Sequence, residues 1–278
     1  MGLPPHFTMT RNEILLRFLR NYLSVSNRGL PTVIIAGAQK AGTTSLFLYL
    51  DEHPDVYSSF IKEPQFFNRR YHWGVRGYRA FFAEIPPGRS GPMHILESSP
   101  DYLFLPEVPD RMVRLLPQVR LVFLFREPLA RALSHYQHNV RRGWETRSFR
   151  EVMTEDTRRW KEHGIERCPD ETWREFRDFS YVRRGVYAPQ IDRWLRLFPR
   201  NNILLLRAED LFSDPRTATS TTLSFLGLTS RPLANPKPFN DGSYDRSQLQ
   251  EYAGFSGCFA DSNERMCREF GIQWPDSE

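Results

Sequence analysis

The feature that most constrains the fold is a strand, a glycine-bounded turn and a helix that follow one another in residues 31–50, PTVIIAGAQKAGTTSLFLYL. The apolar run 32–36 predicts a buried strand, the turn extends from Gly37 to Gly42, and the helix begins at Thr43 or Thr44. Glycines let a backbone bend towards a ligand, and a helix N-terminus offers unpaired N–H groups at the positive end of its dipole. This order predicts an anion-binding site in an α/β protein.

Lys40 lies inside this turn and adds a full positive charge to it. In the nucleoside-triphosphate loop GxxxxGK[ST], the lysine follows the second glycine and a hydroxyl holds magnesium. Here the lysine precedes Gly42, so it should reach a different atom of a bound phosphate chain. The alternative is an ordinary strand-turn-helix with a lysine by chance, but the agreement of strand, glycines, lysine and hydroxyls favours a site.

The composition indicates a globular protein and bears on its ligands and its cellular location. The 278 residues are 40% apolar and 14% aromatic, which is enough for a sizeable core. The net charge of +5 suits phosphate, sulfate or nucleic-acid ligands. Three cysteines without CxxC spacing suggest neither a disulfide framework nor a zinc site, and predict a reducing, cytoplasmic location. The apolar runs are too short to cross a bilayer, so we expect no stable membrane anchor.

The chain divides into an N-terminal segment, residues 1–30, and a single domain, residues 31–278. Apolar residues recur at helical spacing from Arg11 onwards, which predicts a helix docked on the domain; a membrane-surface helix is the alternative. Within the domain, apolar runs at 56–60, 94–98, 119–125 and 203–206 predict further strands between helices. We expect an α/β fold with a central, mainly parallel sheet flanked by helices.

Two carboxylates follow predicted strands. Glu63 lies in KEPQFF, where the neighbouring aromatics should carry it partly out of water, raise its proton affinity and suit it to general-base catalysis. The alternative is a Lys62–Glu63 pair on the surface. Glu97 ends another strand and is a second candidate, with a cap or turn acceptor as its alternative.

A second basic position follows the run 119–125. Arg126 lies at the carboxyl end of this predicted strand, and a helix beginning with Pro128 carries Ser134 two turns later. Arg126 and Ser134 could therefore face one phosphate, whereas the alternative for Arg126 is an ion pair with an acid such as Glu127. On the same helix, His135 and His138 lack further ligands at metal-binding spacing, so we expect no metal site.

Together these pieces resemble the P-loop sulfotransferase family, and most closely its heparan sulfate 3-O-sulfotransferase-like branch with its bacterial relatives. The resemblance runs from Thr32 to the C-terminus. It implies a three-layer P-loop-type fold and an enzyme that uses 3′-phosphoadenosine 5′-phosphosulfate as donor. Such an enzyme transfers the sulfuryl group in line to an acceptor hydroxyl, on a carbohydrate or another alcohol, releases adenosine 3′,5′-bisphosphate and needs no metal.

The resemblance also implies roles for individual residues. Lys40 matches the lysine that neutralises the bridging oxygen of the donor, and Glu63 matches the general base. Arg126 and Ser134 match the residues that hold the 3′-phosphate. The remaining donor contacts implied by the family pattern are Gly37, Gln39, Ala41, Gly42, Thr43, Thr44, Tyr187 and a closing loop of Gly242, Ser243 and Tyr244.

The acceptor side departs from the family pattern. Gln65 stands where the 3-O branch has a histidine, and Ser98 where it has a lysine that contacts the acceptor. We assign acceptor contacts to Lys62, Gln65 and Glu97, and expect a hydroxyl-bearing acceptor rather than a nucleic acid. No sequence pattern indicates an oligomeric state.

Two other functions remain open from the sequence. A nucleotide-dependent phosphotransferase would need a magnesium-binding aspartate after an apolar strand, and none is evident; the position of Lys40 also argues against it. A non-catalytic nucleotide- or nucleic-acid-binding module would share the basic balance but would need no base.

Overall fold

A five-stranded parallel sheet forms the centre of the protein. The computed structural model describes residues 8–25, 28–84, 93–234, 236 and 248–274. The strands are β1 (Val33–Gly37), β2 (Val56–Ser58), β3 (His94–Ser98), β4 (Arg120–Phe125) and β5 (Ile203–Arg207). Their order is β2-β3-β1-β4-β5, and every pairing is parallel. The predicted sheet is therefore confirmed.

The innermost strand, β1, sets the position of the site. All five of its residues are buried, and all but the first residue of β4 are buried as well, as expected for strands covered on both faces. Val33 lies opposite Leu96 of β3 on one side and opposite Arg120 of β4 on the other. β1 lies between β3 and β4 and all three run parallel, so the loops after β1, β3 and β4 meet at one edge, where ligands of such sheets bind.

Helices cover the sheet, and most of the predicted ones are present. In chain order they are α1 (Arg11–Leu23), α2 (Thr43–Asp51), α3 (Gly74–Arg79), α4 (Val108–Leu115), α5 (Pro128–Arg141), α6 (Phe149–His163), α7 (Trp173–Phe179), α8 (Tyr187–Leu195), α9 (Ala208–Ser213), α10 (Pro215–Phe225), α11 (Gln248–Glu251) and α12 (Ala260–Phe270).

Local sequence explains where several of these helices begin. Pro128 occupies the first position of α5, and the two carboxylate oxygens of Glu127 accept the backbone N–H groups of Leu129 and Ala130 at 2.9 and 2.6 Å. Glu127 is thus a helix cap. At the start of α6, Ser148 and Glu151 form a capping box.

Two parts of the chain differ from the sequence-based expectation. The strand predicted at 56–60 is only Val56–Ser58, and a π-helical turn, Phe66–Arg70, follows shortly after it. The rings of Phe66 and Tyr78 stack 4.0 Å apart, so aromatic packing rather than strand pairing fixes this segment. Helix α9 was not predicted at all. The closing loop expected around residues 240–244 lies outside the described residues.

α1 packs on the domain through one face. The ring of Phe18 lies 5.2 Å from that of Phe81, and the buried Asn21 side chain donates to the carbonyl of Ala80 at 2.9 Å. In the described ranges, no helix combines the length and the apolar character needed to cross a membrane.

Two hydrophobic clusters hold the layers together. The larger surrounds the sheet, and the smaller packs α5 against α6 and the segment around Val182. Leu129 and Leu133 belong to the smaller cluster, together with Phe149 of α6. This packing fixes the helix that carries Ser134.

Candidate active site

Two glycines shape the turn after β1. Gly42 adopts a left-handed φ of 84°, and a Cβ there would lie 2.8 Å from a ring carbon of Phe212. At Gly37 a Cβ would lie 2.4 Å from the Cβ of Leu103. Gly42 is also the N-cap of α2, and no side chain in the described part of the protein caps that helix. The first-turn N–H groups of α2 therefore suit an anionic ligand.

Lys40 occupies this turn with a left-handed φ of 71°. Burial, together with the charges of Arg141 and Arg126, lowers the pKa of its ammonium group to about 8, while Glu63 acts in the opposite direction. Positive charge thus exceeds negative charge around Lys40. Such an excess favours binding of a multiply charged anion, which would restore the proton affinity of the lysine.

The other predicted turn residues are in place around Lys40. Ala41 and Thr43 are buried, and Thr44 is half-buried at the start of α2. The Oε1 atom of Gln39 is buried and has no hydrogen-bond partner among the described residues. A buried polar atom without a partner is costly, and a bound ligand would satisfy it.

Arg126 lies against the same turn. Its Nη1 atom donates to the carbonyl of Lys40 at 3.3 Å, and its guanidinium carbon lies 5.8 Å from the ring centre of Phe212. Ser134 is mostly buried on α5. The structure therefore brings Arg126 to the anion-binding turn, whereas a phosphate shared by Arg126 and Ser134 stays a prediction.

Tyr187 supports Arg126 from below. Its side chain is fully buried, which raises the pKa of its hydroxyl, and that hydroxyl donates to the carbonyl of Arg126 at 2.8 Å. Tyr187 was predicted to contact the donor. Its placement instead fits a residue that fixes the backbone at the end of β4.

The general base predicted from sequence, Glu63, lies in a compact group with its neighbours. Lys62 Nζ donates to Glu63 Oε1 at 2.7 Å, and Gln65 Nε2 donates to Glu63 Oε2 at 3.2 Å. The Lys62 side chain is only 7% exposed, against 36% for Glu63. The Lys62–Glu63 ion pair of the alternative interpretation is therefore present, but its lysine is buried rather than solvated.

The expected raised proton affinity of Glu63 is wrong. Burial by itself raises the pKa of this carboxyl, but the charge and hydrogen bond of Lys62, the hydrogen bond of Gln65 and the charge of Arg142 together lower it below its ordinary value. Glu63 is therefore ionised throughout the neutral range and is ready to accept a proton.

Strained backbone occurs both in the turn that carries Lys40 and in the loop that carries Glu63. Among the described residues, the non-glycine residues with positive φ are Lys40, Glu63 and Gln65. Each such conformation is costly and tends to persist at functional sites because the surroundings enforce it. Here the N–H of Glu63 donates to the carbonyl of Ser98 at 3.0 Å, and the N–H of Gln65 donates to Ser99 Oγ at 3.0 Å.

Glu97 holds this loop from beneath. Its side chain is fully buried, its Oε1 accepts the hydroxyl of Ser99 at 2.8 Å, and its Oε2 accepts the hydroxyl of Tyr78. The hydroxyl of Tyr102 also bonds to Glu97 and accepts the N–H of Phe67 at 3.3 Å. Glu97 thus reaches the backbone of the loop through two hydroxyl groups.

This placement corrects the interpretation of Glu97. Burial raises the pKa of its carboxyl, although the hydroxyl donors act in the opposite direction. With no exposed surface, Glu97 does not fit an acceptor contact or a base for an external hydroxyl. It fits a residue that positions Glu63 and Gln65.

Sequence reasoning missed three residues on or after α5. His138 and Arg141 follow Ser134 by four and seven positions, which places all three on one face of the helix, and Arg142 comes next. Burial and the charge of Lys40 together lower the pKa of His138 to about 4, so its imidazole is neutral at pH 7. The helical spacing from Ser134 is the signal that points to them, whereas the sequence-based expectation for the two histidines concerned only a metal site.

The fold and this site define a class. The protein is an α/β protein of the P-loop type, in which an anion-binding turn with an internal lysine follows the innermost strand and a carboxylate loop faces it. The family model described as Sulfotransferase domain matches residues 30–248. The chain belongs to this sulfotransferase family.

Similar proteins agree with this membership. Human heparan sulfate glucosamine 3-O-sulfotransferase 6 is 33% identical over 201 residues, which are 72% of this chain and 53% of the human protein. Mouse bifunctional heparan sulfate N-deacetylase/N-sulfotransferase 4 is 32% identical over 72% of this chain and 22% of its own. The chain thus spans about half, or less, of the curated relatives it matches.

A solved structure supports the fold. The sulfotransferase from Alicyclobacillus acidocaldarius superposes with a TM-score of 0.68 at 27% identity, over 88% of this chain and 98% of the other. The resemblance to P-loop sulfotransferases and their bacterial members is therefore confirmed.

Proposed function

We propose that this protein transfers a sulfuryl group from 3′-phosphoadenosine 5′-phosphosulfate to an acceptor hydroxyl and releases adenosine 3′,5′-bisphosphate. One observation carries the proposal: Lys40, with its pKa lowered to about 8 by burial and by neighbouring cations, lies within electrostatic reach of the ionised Glu63. One group can stabilise a leaving anion while the other accepts a proton.

The residues of the turn fit the donor. The uncapped first turn of α2, the ammonium of Lys40 and the guanidinium of Arg126 supply donors and charge for a phosphosulfate. Arg126 and Ser134 would hold the 3′-phosphate, which separates this donor from ATP. When bound, the donor supplies a sulfuryl group joined to a phosphate leaving group.

Each chain residue then has a defined task. Lys40 places its charge at the bridging oxygen, where negative charge develops as the sulfur–oxygen bond breaks. Glu63 takes the proton of the acceptor hydroxyl while the new oxygen–sulfur bond forms. Lys62 and Gln65 each bind one oxygen of Glu63 and so fix the carboxylate plane.

The acceptor is proposed as a hydroxyl on a carbohydrate or a small-molecule alcohol. The similar human protein is named for 3-O-sulfation of glucosamine in heparan sulfate. Gln65 and Ser98 differ from the residues expected in that branch, so we propose an acceptor other than heparan sulfate. Lys62 and Gln65 border the base and are the acceptor contacts in this proposal.

The test is transfer from a labelled donor. The protein is incubated with sulfur-labelled donor and a panel of saccharides and alcohols, and both labelled product and adenosine 3′,5′-bisphosphate are measured. We expect equal amounts of the two, and no turnover with ATP and magnesium. Phosphoryl transfer from ATP, or tight nucleic-acid binding that falls steeply with salt, would contradict the proposal.

A cytoplasmic location is also proposed. Cys168, Cys258 and Cys267 are all free thiols in the structure, and a reducing compartment would maintain them. Thiol labelling of the protein in intact cells should find all three reduced.

A further inference from the structure

α1 exposes an apolar face that the described part of the domain leaves uncovered. Leu15, Leu16, Leu19 and Leu23 are 55%, 67%, 48% and 80% exposed. At 100° per residue these four side chains occupy one continuous arc, which lies away from the docked face formed by Phe18 and its neighbours. Scattered exposed leucines need no explanation, but four on one thirteen-residue helix form a patch.

The patch continues onto the neighbouring segment. Trp73 and Val75 are 40% and 42% exposed, and the ring of Trp73 lies 5.1 Å from that of Phe18 in α1. The side chain of Arg76 lies over the ring of Tyr22, 4.6 Å from its centre, and donates to the Tyr22 carbonyl, which joins α3 to α1. The segment that carries the exposed tryptophan is therefore packed directly beside the helix that carries the exposed leucines.

Arginines predominate among the charged residues around the patch. Arg11, Arg20 and Arg76 are exposed at its borders. The single acid of α1, Glu13, is bound in the capping box, where its Oε2 accepts the N–H and the hydroxyl of Thr10 at 2.6 and 2.8 Å. An apolar face with a tryptophan and a rim of arginines matches an anionic lipid surface, where leucines enter the acyl boundary and arginines meet headgroups.

We propose that α1, with Trp73 and Val75, binds the protein reversibly to the surface of anionic membranes. The leucine arc faces the bilayer, and α1 lies parallel to the membrane plane because its opposite face is already packed on the domain. A second copy of this chain is the weaker occupant, because a symmetric contact would bring the arginine rims against each other.

The experiment is vesicle flotation with the full chain. Vesicles of phosphatidylcholine alone are compared with vesicles of phosphatidylcholine and phosphatidylserine at low and physiological salt. We expect binding to the anionic vesicles, weakened by salt, and little binding to the neutral ones. Absence of binding to anionic vesicles at low salt would overturn the proposal.

Matched variants distinguish binding through this surface from non-specific attraction of a basic protein to anionic vesicles. Leu16→Gln with Leu23→Gln should weaken vesicle binding by at least about tenfold, since both side chains are exposed and lose only lipid contact. Arg11→Gln with Arg20→Gln should weaken it about fivefold for each arginine. The controls are Arg174→Gln with Arg196→Gln, and Trp173→Gln, which alter exposed residues elsewhere and should leave binding unchanged.

Two further results would overturn the proposal that the leucine arc binds membranes. Equal binding by the leucine variant and the native chain would show that the arc is not inserted. A concentration-dependent dimer in light scattering that the leucine variant abolishes, without vesicle binding, would assign the surface to a second copy. Unchanged circular dichroism and affinity for adenosine 3′,5′-bisphosphate would verify that each variant is folded.

Discussion

The turn that carries Lys40 and the loop that carries Glu63 both hold strained backbone, but they are built differently. The turn depends on adjacent sequence: two glycines, a strand before it and a helix behind it. The loop depends on distant partners, since Ser98, Ser99 and Glu97 of the β3 end fix its N–H groups.

This difference assigns donor binding to the turn and proton transfer to the loop. The turn offers helix N–H groups and excess positive charge, which suit the donor whether or not an acceptor is present. The loop presents a carboxylate whose orientation depends on a hydrogen-bond network. Changes in the turn should therefore affect the donor and the rate together, whereas changes in the loop should affect the rate alone.

The largest effect is expected in the turn. Lys40→Ala should lower kcat by about 10³-fold, because the charge on the leaving oxygen loses its main counterion. Steady-state kinetics with the labelled donor measure this loss. Lys161→Ala, which alters an exposed lysine of α6, is the matched control. A loss below tenfold would remove Lys40 from the chemistry.

Replacing the general base should lower the rate of transfer and leave the affinity for the nucleotide unchanged. Glu63→Gln should lower kcat by about 10²-fold while the affinity for adenosine 3′,5′-bisphosphate stays within about twofold. We expect the lower end of general-base effects because neighbouring donors and charges lower the pKa of Glu63. Calorimetry and kinetics on the same preparation separate the two quantities.

His138 provides the comparison for that result. Its imidazole is neutral at pH 7, and the charge of Lys40 contributes to lowering its pKa. If Glu63→Gln retains nearly full turnover and His138→Ala abolishes it, the proton goes to the histidine, and the assignment of Glu63 fails.

A smaller effect is expected from the network beneath the loop. Glu97→Gln and Ser99→Ala should each lower kcat about tenfold with unchanged bisphosphate affinity, because the loop shifts without losing its carboxylate. Tyr78→Phe removes a donor to Glu97 that does not reach the loop, so its kcat should fall less. Equal losses in all three variants would indicate a general loss of stability rather than positioning.

The smallest expected effect is a pH dependence of nucleotide affinity, which Lys40 in the turn causes. The pKa of Lys40 is about 8, below its ordinary value, so its charge is complete below that pH and disappears as the pH rises through it. Affinity for adenosine 3′,5′-bisphosphate should fall several-fold between about pH 7 and about pH 9. In Lys40→Arg, which stays charged, this decline should be absent.

Features with a local cause could be predicted from sequence. The apolar runs gave β1 and β4, and Pro128 marked the start of α5, because burial and helix starts depend on neighbouring residues. The positions of Gly37 and Gly42 likewise identified the turn.

Features with distant causes could not be predicted. The lowered pKa of Glu63 depends partly on Arg142, which is remote in sequence, and the burial of Glu97 depends on aromatic residues from two other segments. The site position of His138 required knowing which face of α5 points at the turn. Electrostatics and side-chain networks follow from tertiary packing, which periodicity does not encode.

The most direct test is a crystal structure with adenosine 3′,5′-bisphosphate bound. We expect the 5′-phosphate at the first turn of α2 within hydrogen-bonding distance of Lys40, and the 3′-phosphate at Arg126 and Ser134, with Glu63 free of the nucleotide. A nucleotide bound elsewhere, or one whose 3′-phosphate does not touch Arg126, would contradict the account.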